Sequence, residues 1–135
     1  MIDDFDTDDR PAAVRAADHA AEGVRWLNHA TIRTNPPLMP PTVHSVLGEF
    51  GRLAHALPQA LDQLQNELAR AADRYELYEG YSGGDPGNPA ARITEARQCL
   101  AAGVHAAQEL ATAISAASTA TAWLGVREPE PTVTP

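Results

Sequence analysis

Apolar residues recur in alternating steps of four and three from Val43 to Tyr78, and the pattern keeps its phase through Pro58. A repeat of this kind, sustained over about five heptads, is typical of a long helix buried along one side in a bundle or coiled coil. We therefore predict a helix that has Thr42 as its N-cap and ends before Gly80. Its apolar positions are Val43, Leu47, Phe50, Ala54, Leu57, Leu61, Leu64, Leu68, Ala71, Tyr75 and Tyr78.

A proline lies in the middle of this pattern. Pro58 has no amide hydrogen, and its ring clashes with the carbonyl group of Ala54, so a kink is expected there. A full break, which would produce a four-helix bundle, is the alternative. We favour the kink because the apolar positions keep their register on both sides of the proline, which a loop would not require.

Two further helices are predicted, one on each side of this segment. The first extends from Pro11, in its first turn, to about Arg33. The third starts with Asn88 as its cap and Pro89 at its first position, and extends to about Leu124. The apolar positions of the first are Ala13, Ala17, Ala20, Val24, Leu27 and Thr31. Those of the third are Ile93, Ala96, Leu100, Gly103, Ala107, Leu110, Ile114, Ala117, Thr121 and Leu124.

These elements predict an all-α fold, an antiparallel three-helix bundle with two long helices. The predicted bundle domain covers residues 11–125, between an acidic N-terminal tail (1–10) and a proline-rich C-terminal tail (126–135). At about 1.5 Å per residue the second and third helices are each about 54 Å long, and the first is about 34 Å long. The far halves of the long helices should therefore project beyond the first helix.

Such a projecting pair of helices leaves apolar side chains exposed. Either the N-terminal tail folds over them or a second copy of the chain covers them, and we favour the second copy. Because homodimers usually have two-fold symmetry, the same residues of both copies should meet. The candidate interface residues at this end are Leu68, Tyr75, Tyr78 and Ile93.

The two tryptophans suggest a second candidate surface, at the other end of the bundle. Trp26 and Trp123 lie off the apolar stripes of their helices and, in the predicted topology, near Met39. Either the three residues close that end as a small cap, or they form an exposed patch for a protein partner. Trp26, Met39 and Trp123 are therefore candidate interface residues.

Composition restricts the function. The chain of 135 residues has a net charge of −8, and all ten of its basic residues are arginine. This balance argues against nucleic-acid binding, which needs clustered cations, and the absence of lysine excludes phosphate-loop and Schiff-base chemistry. The chain contains a single cysteine, which fits a reducing compartment. It contains no apolar run long enough to predict a membrane span. We expect a cytoplasmic protein.

The sequence predicts no catalytic, cofactor-binding or metal-binding residues. The segment Gly80–Gly84 matches a nucleophile elbow, but that motif requires a strand before it, and a helix is predicted there. The five histidines form no H-x-x-x-H or E-x-x-H pair, the latter being the arrangement by which bundle helices hold di-iron sites. Cys99 is expected to be a partly buried structural thiol, with a role in redox sensing or in an intermolecular disulfide as the alternative. A protein without enzymatic activity is therefore predicted.

A protein-interaction or scaffolding module is the predicted function. The alternative is a carrier of a small apolar ligand, bound between the helices where Gly103, Ala107 and Ala117 leave space.

Two segments of the chain resemble small uncharacterised actinobacterial helical proteins, some of which are associated with mobile or conjugative elements. The segments are Ala20 to Thr31 (AAEGVRWLNHAT) and Val43 to Leu64 (VHSVLGEFGRLAHALPQALDQL). The resemblance implies an accessory or scaffolding role and carries no enzymatic activity with it. Trp123-Leu124-Gly125 is also similar to the W-x-G motif of type VII secreted helical hairpins, but here it lies at the C-terminal end and not at the turn between two helices.

Overall fold

The structure is a computed structural model, and its described part consists of α-helices and irregular segments, with no strand. The described residues are 8–80, 87–129, 131 and 133. The helices are α1 (Ala12–Thr31), α2 (Pro40–Arg74) and α3 (Pro89–Thr121). The prediction of an all-α fold with three helices is confirmed. The chain forms two compact units: one ends at Leu38 and contains α1, and the other begins at Met39 and contains α2 and α3.

The second helix is continuous through Pro58, so the alternative with four helices is not realised in the described residues. Its start differs from the prediction, because Met39 and not Thr42 is the N-cap residue. Pro40 and Pro41 occupy the first turn, where a missing amide hydrogen costs no hydrogen bond and the fixed backbone angle suits the helix. The amide groups of Thr42 and Val43 both donate to the carbonyl oxygen of Met39.

The end of α2 also differs from the prediction. The helix ends at Arg74, and Tyr75 is its C-cap in an extended conformation, so the assignment of Tyr75 and Tyr78 to helical positions is wrong. Tyrosine is a weak helix former, and the acidic Glu76 and Glu79 are unfavourable near the negative end of a helix dipole. These local terms outweigh an apolar pattern that continues into the segment.

The start of α3 is as predicted. Asn88 is the N-cap and Pro89 follows in the first turn, and the Asn88 side chain accepts a hydrogen bond of 3.1 Å from the amide of Ala91. This bond satisfies one of the amide groups that the first turn of a helix leaves without an intrahelical partner. The helix ends at Thr121, three residues before the predicted Leu124.

We expect Asn88→Ala to lower the free energy of unfolding by about 1 kcal/mol, since the cap bond is lost and the alanine side chain offers no replacement. Urea denaturation followed by far-UV circular dichroism measures the change. Asn88→Ser is the control, because its hydroxyl oxygen can accept the same bond, and it should retain most of the stability. Equal losses in both variants would contradict a capping role.

The long helices pack against each other, with contacts that run in opposite sequence order. His44, near the start of α2, bonds Thr121 at the end of α3 through Nδ1 and Oγ1, 3.1 Å apart. Further along α2, a Cβ atom on Gly51 would lie 3.7 Å from Cγ2 of Ile114. Later still, a Cβ atom on Gly103 would lie 3.4 Å from Cδ1 of Leu61. Gly51 is therefore level with Ile114, and Leu61 is level with Gly103.

The core between α2 and α3 is narrow and is built mainly from alanine. The buried apolar residues in the described chain are Ala54, Ala107, Ala111 and Ile114. Leu47 and Phe50 pack against this cluster while remaining partly exposed. Small side chains bring the two helix axes close together, and each large side chain then fits against a small one on the facing helix. Ile114 over Gly51 and Leu61 over Gly103 are the two clearest examples.

The apolar positions predicted for α2 match its buried side. In the second half of α3, two of the predicted apolar positions lie one residue before the positions that face inward. On α2, the predicted positions from Val43 to Ala71 are buried or partly buried, with the exception of Leu64. On α3, Ala111 and Ser118 face inward in place of the predicted Leu110 and Ala117. Leu110 and Ala117 are exposed, so these two predicted core positions are wrong. The close approach of the helices leaves room for alanine at this line, and for Ile114 where it faces Gly51.

In the unit that contains α1, the helix starts and ends close to the predicted positions. α1 begins at Ala12, one residue after Pro11, and none of its residues is buried. It ends at Thr31, and the chain then passes through Arg33 with a φ of 44°, a left-handed conformation that no helix continues.

Candidate interaction surface

An apolar face lies along one side of the α2–α3 pair. Successive residues of a helix are about 100° apart, so angles can be measured from the buried Ala54 on α2. The apolar side chains of this face on α2 lie about 60° to 100° to one side of Ala54, and they are partly buried except for Leu64, which is 52% exposed. They are Val46, Leu53, Leu57 and Leu64.

The third helix continues this apolar face with small residues. The positions lie on the corresponding side of α3, about 50° to 130° from the line through Ala107, Ala111 and Ile114. Because the contacts of the two helices run in opposite order, these flanks of α2 and α3 adjoin each other. The exposed residues on α3 are Cys99, Ala106, Leu110, Ala113 and Ala117.

The opposite side of the pair is polar. There His55 and Ser115 lie 3.1 Å apart between Nε2 and Oγ, a hydrogen bond that joins the two helices at the surface. Asp62, Arg97 and Gln108 lie on the same side and are exposed. The pair of helices is therefore amphipathic as a unit, and the apolar face is the side that a partner would cover.

Sequence reasoning found only part of the apolar face. Leu57, Leu64, Leu110 and Ala117 belong to the predicted main stripes, whereas Val46, Leu53, Ala106 and Ala113 lie outside them. These missed residues do carry a signal. On each helix they are seven residues apart, so they form a second apolar heptad line beside the first.

The predicted dimer residues at the far end of the pair have different environments. Leu68 and Ile93 are partly buried, on α2 and near the start of α3. Tyr75 and Tyr78 are 64% and 75% exposed, in the segment after α2. In the same segment Glu79 forms an ion pair with Arg92 of α3, with Oε1 and Nε 3.2 Å apart. The segment after α2 thus lies against the start of α3.

The three residues of the predicted end patch are all exposed. Met39 is the N-cap of α2, and Trp123 follows the end of α3 with 95% of its surface accessible. Within their unit these two lie at the end where His44 bonds Thr121. A closed cap is therefore not formed by Trp123 in this structure. Trp26, in the other unit, is 70% exposed on α1 beside Arg25 and His29.

Ion pairs cover the exposed surfaces of the helices. Arg70 pairs with Glu67 on α2, and Arg92 pairs with Glu95 on α3 in addition to Glu79. Arg70 and Arg92 therefore lie on a solvated, salt-bridged face. Such exposed pairs add little to stability and neutralise the cations that a phosphate track would need.

At the start of the other unit, Arg10 donates to two carboxylates. Its guanidinium contacts Asp8 at 2.7 Å and Asp18 of α1 at 3.0 Å. The hydrogen bonds from Arg10 lower the pKa of Asp8 from 3.8 to about 2. Because the pKa in the folded chain is the lower one, the interaction favours folding above pH 3.8 and is lost as the pH falls through about 2.

We expect Arg10→Gln to return the pKa of Asp8 to about 3.8, since the charged hydrogen bonds that favour the carboxylate are removed. The carboxyl carbon shift of Asp8, followed by NMR from about pH 1 to about pH 6, measures the pKa, because this range spans both values. Arg15→Gln is the matched control, as it removes an equal charge and keeps the bonds to Asp8. A pKa that stays near 2 in Arg10→Gln would contradict the assignment.

Residues that could carry chemistry are dispersed in the part of the chain described here. No three of its His, Cys, Asp and Glu side chains are grouped so that they could hold a metal ion. Cys99 is exposed, so the expectation of a partly buried structural thiol is wrong. Cys99 lies on the α3 half of the apolar face, where the side chains are exposed. Ser82, in the segment that matches the nucleophile elbow, lies outside the described residues.

The space expected for an apolar ligand is occupied at its centre. Leu61 lies over Gly103, Ala107 is buried in the core, and Ala117 faces outward. Three surface depressions, of about 510, 440 and 360 Å³, are each lined by residues of a single helix or its end. None of these three lies between α2 and α3.

The fold and the surface together define a small all-α protein that presents an apolar helical face. Comparison with protein-family models, with curated proteins and with solved structures finds no match. Among the described residues, no helix combines the length and the apolar character needed to cross a membrane.

Proposed function

We propose that this protein is a non-enzymatic helical module for protein–protein interaction or scaffolding, and that it acts as a homodimer. The observation that carries the proposal is the apolar face of the α2–α3 pair. A pair of helices with four buried residues has little core of its own, and its flanking leucines remain in contact with water. Covering them with protein supplies about 25 cal/mol per Å² of apolar surface.

Exposed tryptophans in each of the two units are proposed to bind an unidentified protein partner. Met39 and Trp123 are exposed at one end of the α2–α3 pair, and Trp26 is exposed on α1. Exposed tryptophans are frequent anchors of protein interfaces because one side chain buries a large area with little loss of conformational entropy. Tyr75 and Tyr78, with Leu68 and Ile93, are proposed to extend the dimer contact at the other end.

Finer features of the fold accompany this proposal. The reversed order of the contacts supports an antiparallel, coiled-coil-like pairing of α2 and α3. A kink at Pro58 is proposed because Ala54 loses its partner in the helical hydrogen-bond ladder there. A cytoplasmic location is proposed from the single cysteine, and the acidic charge argues against a nucleic-acid partner. An accessory role in a mobile element is what the resemblance of the two segments implies.

Size-exclusion chromatography with light scattering tests the homodimer. At tens of micromolar we expect the mass of two chains, and dilution should shift the population toward one chain as mass action requires. A mass of one chain over the whole range would refute the homodimer.

A further inference from the structure

We propose that the homodimer forms through the apolar face along its whole length, with α2 of each copy lying over α3 of the other. The two-fold axis then runs parallel to the helices, and the product is a four-helix arrangement in which neighbouring helices alternate in direction. This inference rests on the proposed homodimer and goes beyond it, because it assigns which helix of one copy lies over which helix of the other, and in what register. It places the main contact along the side of α2 and α3, beyond the far end that the sequence predicts.

The size of the side chains on the two halves of the face indicates this pairing. The α2 half carries large side chains, among them Leu53 and Leu64, and the α3 half carries mainly small ones, among them Ala106 and Ala113. If α2 met α2, leucines would face leucines and alanines would face alanines across a gap. If α2 meets α3 of the partner copy, the large side chains of α2 pack over the mainly small ones of α3, which repeats the packing inside the chain, where Leu61 lies over Gly103.

The register of the chain agrees with this pairing. A two-fold axis parallel to the helices moves no residue along them, so residues that are level within one copy are level between copies. Since Gly51 is level with Ile114, Leu53 comes level with position 112, next to Ala113 of the second copy. Since Leu61 is level with Gly103, Leu64 comes level with position 100, next to the exposed Cys99 of the second copy.

The charge and the area of the face also suit a second copy. Between Val46 and Leu64 on α2, and between Cys99 and Ala117 on α3, the positions on this side are uncharged. Two copies of a chain with a net charge of −8 can therefore meet here without opposing like charges at the centre. From Val46 to Leu64 the face is about 27 Å long and about 19 Å wide, which gives about 500 Å² per copy and about 1,000 Å² for two copies. This total equals the minimum expected of a specific interface, about 1,000 Å².

Disulfide cross-linking between two single-cysteine proteins tests the arrangement. The natural chain contains Cys99 alone, and the variant Leu64→Cys with Cys99→Ala contains only the new thiol. Leu64 is 52% exposed, so its replacement leaves the packing of α2 and α3 in place. The two proteins are mixed, allowed to exchange subunits and oxidised. We expect the cross-linked dimer in the mixture to exceed that of either protein alone at least tenfold, because like thiols lie on diagonal helices.

Asn66→Cys with Cys99→Ala is the matched control. Asn66 is exposed near the level of Leu64 but about 120° from Ala54 on the polar side of α2, so its mixture with the natural chain should cross-link no more than the separate proteins. A two-chain mass without mixed cross-links at Leu64, or with equal cross-linking at Asn66, would overturn the face and leave the homodimer intact. A one-chain mass would overturn both.

Discussion

Ile114→Asp is expected to separate α2 from α3. At 25 °C the pair should already be unfolded, so that no cooperative unfolding transition is observed. Among the buried residues of the described chain, Ile114 is the one large side chain, and it packs over Gly51 beside Ala54 and Ala111. Truncating a buried isoleucine alone costs about 2–5 kcal/mol. An aspartate adds the cost of a carboxylate with no cation to pair with, so that the sum approaches the total stability of a small domain, about 5–15 kcal/mol.

Thermal and urea denaturation, followed by far-UV circular dichroism, measure this loss. The matched control is Ala116→Asp, which introduces the same residue two positions further along α3 on its exposed side. It should cost less than about 1 kcal/mol, mainly through helix propensity. If the two variants unfolded alike, the contact of Ile114 with α2 would not be what holds the helices together.

Pro58→Ala is expected to stabilise the protein by about 1–3 kcal/mol, which is unusual for a substitution inside a helix. Proline in a helix interior is about 3 kcal/mol less favourable than alanine, because it removes a hydrogen bond and its ring clashes with the preceding turn. Pro58 leaves the carbonyl group of Ala54 without its helical donor, and Ala54 is only 2% exposed. The loss of contacts made by the partly buried proline ring sets the lower end of the expected gain.

The matched control is Pro41→Ala in the same helix. Pro41 lies in the first turn, where its missing amide has no intrahelical partner, so the change in the free energy of unfolding should be near zero. The urea midpoints of the two variants and of the natural chain give the comparison. An unchanged midpoint for Pro58→Ala would contradict the expected gain. It would show that the proposed kink already relieves the strain at this position.

Local signals in the sequence predict the end of a helix well where a capping side chain or a proline marks it. Asn88 and Pro89 start α3 because a side-chain cap and a proline suit the first turn in any environment. Pro40 also suits the first turn of a helix, and α2 begins there. Pro40 and Pro41 would equally suit a loop before the helix, with Thr42 as the N-cap. Because the prolines suit both interpretations, their position relative to the apolar pattern does not decide between them.

The candidate surface is less accessible to sequence reasoning. Apolar stripes on α3 run along two adjacent lines, one through Ala111 and one through Leu110. Both lines have heptad spacing, so periodicity alone does not tell which one is buried. The closeness of α2 decides it, since Ile114 against Gly51 and Leu61 against Gly103 leave room for alanine and turn Leu110 toward solvent.

The sequence by itself determined that the chain is helical, that α2 continues through Pro58 and that Asn88 caps α3. These are local properties, set by backbone propensity, capping and the spacing of apolar residues within one helix. Only the tertiary structure decided which line of α3 faces α2, that Trp123 is exposed and that an apolar face remains along one side. These depend on the distance and rotation between two helices, which small residues on both of them allow to become short.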